Sequence, residues 1–169
     1  MNALKSAIAA FALLSSTTLA RADVIAEWNA IALDTVTGSG KYRAYDESRV
    51  MAWVNIAMAE TINFNEAMRP SRFLVTQSHS LGASNEAAAA AAAHYILVQF
   101  HPEQKASLDA ALRRSLALEP DAIKRESGRV MGASLGMSLY AILSSDSGSV
   151  AAENRDNREL RDQVGIKAQ

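Results

Sequence analysis

SNEAAAAAAAHYILVQF, residues 84–100, is the stretch whose reading decides the fold. Its seven consecutive alanines, Ala87 to Ala93, have the highest helix propensity of any residue and almost no side-chain entropy to lose. Ser84 stands where an N-cap belongs, and Glu86 falls in the first turn, where a negative charge suits the positive end of the helix. Tyr95, Ile96, Val98, Gln99 and Phe100 continue the run. An alanine surface is shallow, so low complexity here means strong helix and close neighbours, not disorder.

On the C-terminal side, Pro102 falls at the first position of a fourth helix, where its missing N–H costs nothing. Ala106, Leu108, Ala111, Leu112, Ser115 and Leu116 carry that helix to Leu118. Pro120 starts a fifth helix in the same way. It runs through Ile123, Val130, Met131, Leu135, Leu139 and Leu143, and residues 144–149, with Gly148, close it. On the N-terminal side, residues 24–36 fit a first helix with Asp23 as N-cap, stopped by Gly38-Ser39-Gly40. Residues 46–68 fit a second helix, capped by Asp46, with Val50, Trp53, Val54, Ala57, Met58 and Ile62 at i, i+3, i+4 spacing. Pro70 ends it. Residues 69–84 form a polar connection around Phe73-Leu74-Val75. The expected architecture is all-α, about five helices in an irregular bundle, with no strand.

Composition agrees with one such domain. The 169 residues suffice for a single core. Hydrophobic residues at 49% and charged residues at 21% exclude a disordered chain. Aromatics are only 6%, so Ala, Leu, Ile, Val and Met must build the core. With no cysteine, disulfides, thiolate nucleophiles and Cys-ligated metals are excluded.

Residues 1–22 have the pattern of a secretory signal peptide. Lys5 supplies the positive start, residues 7–14 the apolar stretch, and Ala20-Arg21-Ala22 a small-x-small cleavage site. The apolar stretch is shorter than the ~20 residues that span a bilayer, so no membrane span is expected after cleavage. The mature chain would be periplasmic or secreted. Losing Lys5 and Arg21 leaves 15 basic against 18 acidic residues, a formal charge of −3. With no basic stripe, nucleic acid is not an expected partner. Residues 23–149 form the helical domain. Residues 150–169, where Glu153, Arg155, Asp156, Arg158, Glu159, Arg161 and Asp162 alternate in sign, make a solvated helix or a disordered tail.

Three ordered segments carry a family resemblance. The first is Trp28-Asn29 with residues 49–63, RVMAWVNIAMAETIN. The second is Ser84-Asn85-Glu86 with the alanine run, His94, Phe100, Pro102 and Leu108-Asp109-Ala110-Ala111-Leu112. The third is Gly128-Arg129-Val130-Met131-Gly132, then Asp146 and Gly148. Together they resemble the amino-terminal helical region of vanadium-dependent haloperoxidases and type 2 phosphatidic acid phosphatases. The resemblance implies an all-helical fold. In a full-length relative it also implies a site that holds phosphate or vanadate with a Lys and Arg set, a Ser-Gly-His segment, and a later Ser-Arg and His. Cations and donors would hold the oxyanion while a His acts as nucleophile or acid–base.

Those motifs would follow Gly148, and this chain does not carry them. Arg69-Pro70 is the only Arg-Pro pair, with Ile62 where the family places its Lys. Ser71-Arg72 followed by His79 comes near the last motif, one residue too widely spaced and in the inter-helix connection. Arg69, Arg72 and His79 are therefore a weak candidate loop site. His79, His94 and His101 lack ligand spacing, so no metal is expected; His94 fits a satisfied or half-exposed structural histidine. Glu60 either pairs with a base on a neighbouring helix or faces solvent. Gly128, Gly132 and Gly136 form a stripe at four-residue spacing, expected to be a helix-packing seam, since glycine inside a helix costs up to about 1 kcal/mol and close backbone approach offsets it.

The leading expectation is a truncated N-terminal scaffold of an exported phosphatase or haloperoxidase-like protein, without catalysis or cofactor of its own. Its partner would be a missing C-terminal helical half or a second copy. Without that half, apolar faces should be exposed on the second helix and along the glycine stripe. The alternative is a stand-alone periplasmic binding or structural module. A third is a small enzyme built on Arg69, Arg72 and His79.

Overall fold

The alanine run forms the middle of helix α3 (Asn85–Phe100), and all seven of its alanines are buried. The computed structural model describes residues 16–38, 40, 44–66 and 82–164. Around α3 lie α1 (Ser16–Gly38), α2 (Ala44–Asn65), α4 (Lys105–Ala117) and α5 (Ala122–Val164), with a 3-10 turn at Pro102–Gln104. Each of the four other helices packs against α3. The described residues form five α-helices and no strand.

Ser84 caps α3 as its sequence implies. Its backbone is extended, and its Oγ accepts from Ala87 N–H at 3.2 Å. The same hydroxyl donates to Glu86 Oε2 at 3.2 Å, while Ser84 N–H reaches Lys124 O of α5 at 3.0 Å. The cap thus fixes both the start of α3 and the level at which α5 meets it.

Several boundaries differ from the sequence expectation. α1 begins at Ser16 and α2 at Ala44, so Asp23 and Asp46 lie inside helices and cap neither. Pro102 opens the 3-10 turn, and α4 starts only at Lys105. Pro120 precedes the cap of α5, which is Asp121. Its Oδ1 accepts from Ile123 and Lys124 N–H at 2.9 and 3.1 Å, and these contacts hold its carboxyl below the usual range. Gly148 does not end α5, which continues to Val164. One glycine costs about 1 kcal/mol in a helix, and strong helix formers follow it.

The core gathers the large side chains of the outer helices around the alanines. Trp28, Val36, Val54, Met58, Leu108 and Leu139 are all buried with Ile96 and Leu97 of α3. Apolar exposure is not where it was expected. Val50, Trp53 and Val54 on α2 are buried, and so is Gly132. Instead Ile123 and Val130 of α5 face outward, on the side of the helix away from Met131, Leu135 and Leu139. A helix gripping its neighbour through glycines turns the residues half a circle away into solvent.

Gly128, Gly132 and Gly136 lie against α3. A Cβ on Gly128 would sit 2.5 Å from Ser84 O and 2.9 Å from Ala87 Cβ. On Gly132 it would collide with Ala88 O and lie 2.7 Å from Ala88 C. On Gly136 it would be 3.1 Å from Ala92 O and from Tyr95 Cβ. The partners advance by four as the glycines do, so α3 and α5 run parallel with their backbones nearly touching. Tyr140 extends the line into an aromatic group, its ring 5.8 Å from Phe100, 6.0 Å from Trp53 and 6.4 Å from Tyr95.

Gly132→Ala should therefore destabilise the protein. Overpacking costs about 1–3 kcal/mol, against a helix-propensity gain of about 1 kcal/mol. Gly136→Ala should lower the melting temperature less, and Gly38→Ala, with nothing within 4 Å, should leave it unchanged or raise it slightly through the same propensity gain. A Gly132→Ala protein melting at or above wild type would contradict the close approach.

Candidate functional site

Chemistry-bearing side chains meet where α4 crosses α1 and α3. His94 projects from α3 toward Asp109 of α4, with Nε2 at 2.8 Å from Asp109 Oδ1. Lys105, one turn earlier on α4, donates to Asp109 Oδ2 at 2.5 Å. These hydrogen bonds, Lys105 first and then His94, hold the Asp109 carboxyl below the usual carboxylate range. An ionised carboxylate only accepts, so Nε2 of His94 carries the hydrogen. Trp28 of α1 meets the imidazole edge-on, ring centroids 6.3 Å apart.

Beside this pair, fully buried Trp28 donates its indole N–H to Ser115 Oγ at 3.0 Å. Ser115 Oγ donates in turn to Ala111 O at 3.3 Å. Gln104 Nε2 reaches Thr35 O at 3.0 Å, a further tie between α1 and the turn before α4.

A histidine beside a carboxylate is a familiar acid–base pair, but this one is built to hold helices. Both Asp109 oxygens are engaged, and the nearby Ser115 hydroxyl serves the Trp28 indole and Ala111 O. The cation that touches it, Lys105, is spent on Asp109 Oδ2. Arg49 lies over the Trp53 ring at 5.8 Å, Arg125 donates to Glu119 O at 2.8 Å, and Arg129 grips Glu126 through two hydrogen bonds. These cations are dispersed over α2 and α5. No group of three or more metal-ligating side chains occurs among the described residues.

A second polar group joins the end of α2 to the start of α3. Asn65 Nδ2 donates to Ala83 O at 2.9 Å and to Asn85 Oδ1 at 2.6 Å, and Asn85 Nδ2 donates to Glu66 Oε1 at 2.7 Å. Glu60 is half-buried on α2, and its Oε2 meets no hydrogen-bonding partner among the described residues. His101, buried where α3 ends, has Nδ1 3.6 Å from Glu103 Oε1. Arg69, Arg72 and His79 lie outside the described residues.

The remaining feature is a surface. Ile123 is 79% exposed and Val130 and Met137 are each 53% exposed, at seven-residue spacing on α5. Ser127, Ser134 and Ala141 lie between or just beyond them, all at least partly exposed. Helical spacing alone places Ile123 and Val130 on α5 without saying which side they take. The glycine positions held the signal, since the stripe lies on the opposite side of the helix. No helix among the described residues is long and apolar enough to cross a membrane.

Comparison with known family models, curated proteins and solved structures found no match.

Two outcomes test the polar ties. Ser115→Ala leaves the buried Trp28 N–H without its acceptor, which costs about 1–3 kcal/mol, so its urea midpoint should fall; an unchanged midpoint would contradict the tie. Asp109 has a folded-state pKa below its ordinary 3.8. Its stabilising contribution is therefore present above that value and lost as pH falls through the folded pKa. Asp109→Asn should be less stable than wild type at pH 7, with the gap closing under acid. A gap constant down to pH ~2 would contradict the sign.

Proposed function

We propose that this chain is an exported helical scaffold that occupies the amino-terminal place in a phosphatase or vanadium-haloperoxidase-like architecture and carries no catalysis of its own. What supports this reading most is that two of the three segments carrying the likeness pack on each other. The Ser84-capped alanine helix and the segment beginning at Gly128 form one seam at near-backbone contact. Trp28, from the first segment, is tied to Ser115, just beyond the second. The likeness thus follows residues that hold helices together, and several of the polar groups they bring along, Asn85, His94 and Asp109 among them, are spent in ties between helices. Lys5, residues 7–14 and Ala20-Arg21-Ala22 support export to the periplasm or beyond the cell.

A second reading, a stand-alone helical binding or structural module, is favoured by one observation. The core closes on itself, with Trp28, Val54, Ile96, Leu97, Leu108 and Leu139 all shielded from water, and the exposed apolar residues of α5 lie away from it.

Phosphatase and bromide-peroxidase assays on the purified chain, with and without vanadate, test the scaffold reading. Turnover should equal that of buffer. Turnover that vanishes in His79→Ala would replace the scaffold with an enzyme. Cell fractionation tests export, and the exported product should begin at Asp23.

A further inference from the structure

We infer that the outer face of α5 binds a second copy of this chain, antiparallel, about a two-fold axis at the level of Gly132. At 100° per residue, Ile123, Ser127, Val130, Ser134, Met137 and Ala141 fall within about 80° of one another. This stripe is centred opposite the glycines that grip α3. Its three large apolar side chains are more than half exposed, and Ala141 is exposed too. The face thus carries three large apolar side chains that no other described residue covers.

The order of sizes along the stripe identifies the occupant. Turned end for end about Gly132, the stripe sets Ile123 against Ala141 of the second copy, Ser127 against its Met137, and Val130 against its Ser134. Each large side chain meets a small one, the condition for interdigitation at ordinary interior density. A parallel pair in register would instead set Ile123 on Ile123 and Met137 on Met137, with serine facing serine between them. One register thus matches all three pairs, and a surface complementary to its own reverse is what an isologous two-fold contact requires.

Charge permits the same register. Lys124, Glu126 and Arg129 come level with Tyr140, Ser138 and Leu135 of the second copy, so no like charges are opposed. Arg129 and Glu126 are already paired within their own helix. The stripe is about 27 Å long at the helical rise. A single helix seam of that length covers less than the ~800 Å² per partner of a standard interface, so the dimer is weak and governed by concentration.

The pairing does not rest on the scaffold reading, and activity assays leave it untouched. The chain has no cysteine, so single replacements report cleanly. Ser127→Cys and Met137→Cys variants of the full chain are purified reduced, then oxidised alone and as a mixture. The mixture should give disulfide-linked dimer at least tenfold faster than either variant alone. Like cysteines lie about 15 Å apart along the axis in this register, beyond the ~7 Å Cα separation a disulfide tolerates. Sedimentation of the wild type should show average mass rising with concentration, and Val130→Arg should abolish the rise while melting as wild type does. Equal cross-linking of the single variants, no preference in the mixture, or a monomer up to about 1 mM would each overturn the inference.

Discussion

The structure depends on two backbones being allowed to touch. Where α5 presents glycine, α3 presents alanine, and at Gly132 there is no room for even one methyl group between them. Dispersion falls off steeply with distance, so a pair of helices at this range gains from its main chains what larger side chains gain elsewhere. Once the alanine stretch of α3 is thin and buried on every side, the outer helices must supply the volume. They do so with Trp28, Trp53, Met58, Leu108, Leu135 and Leu139, each pointing inward from a different part of the shell.

Shallow surfaces have a weakness, which is register. Alanine ridges interlock poorly, and a helix of alanines can slide or rotate against its neighbours at little cost. The polar ties act on that weakness. Ser84 fixes α5 to the first turn of α3, the Asn65, Glu66 and Asn85 group joins α2 to the same place, and His94 with Asp109 sets α4. Trp28 and Gln104 then set α1 against α4 and the turn before it. Each tie is directional and mostly shielded from water, so a slip of one residue would leave a buried group without a partner.

Much of this was legible in residues 84–100 and 128–136, because helix propensity, capping chemistry and glycine spacing are local properties. The expected bundle of about five helices is what forms. The caps at Asp23 and Asp46 misled, since an acidic residue near a helix start is equally at home within it when the preceding residues also favour helix. Pro120 misled because Asp121 offers a stronger N-cap one residue later. Gly148 looked like a stop because it sits among the serines of residues 144–149, yet one glycine costs only about 1 kcal/mol and α5 absorbs it. The polar ties were not legible at all. Trp28 and Ser115 are 87 residues apart, and nothing in their neighbourhoods marks one for the other. His94 and Asp109 both stood inside segments singled out for other reasons, without a sign that they meet.

The same separations carry a kinetic meaning. Ala88 and Gly132 close a loop of 44 residues, His94 and Asp109 one of 15, and Trp28 and Ser115 one of 87. Each doubling of a loop adds about 0.6 kcal/mol of closure entropy, so α3, α4 and α5 can find one another at lower entropic cost than α1 can find α4. For the doubling from 44 to 87 residues that difference is about 0.6 kcal/mol, so closure entropy alone favours α3, α4 and α5 meeting before the Trp28–Ser115 tie latches α1 to α4.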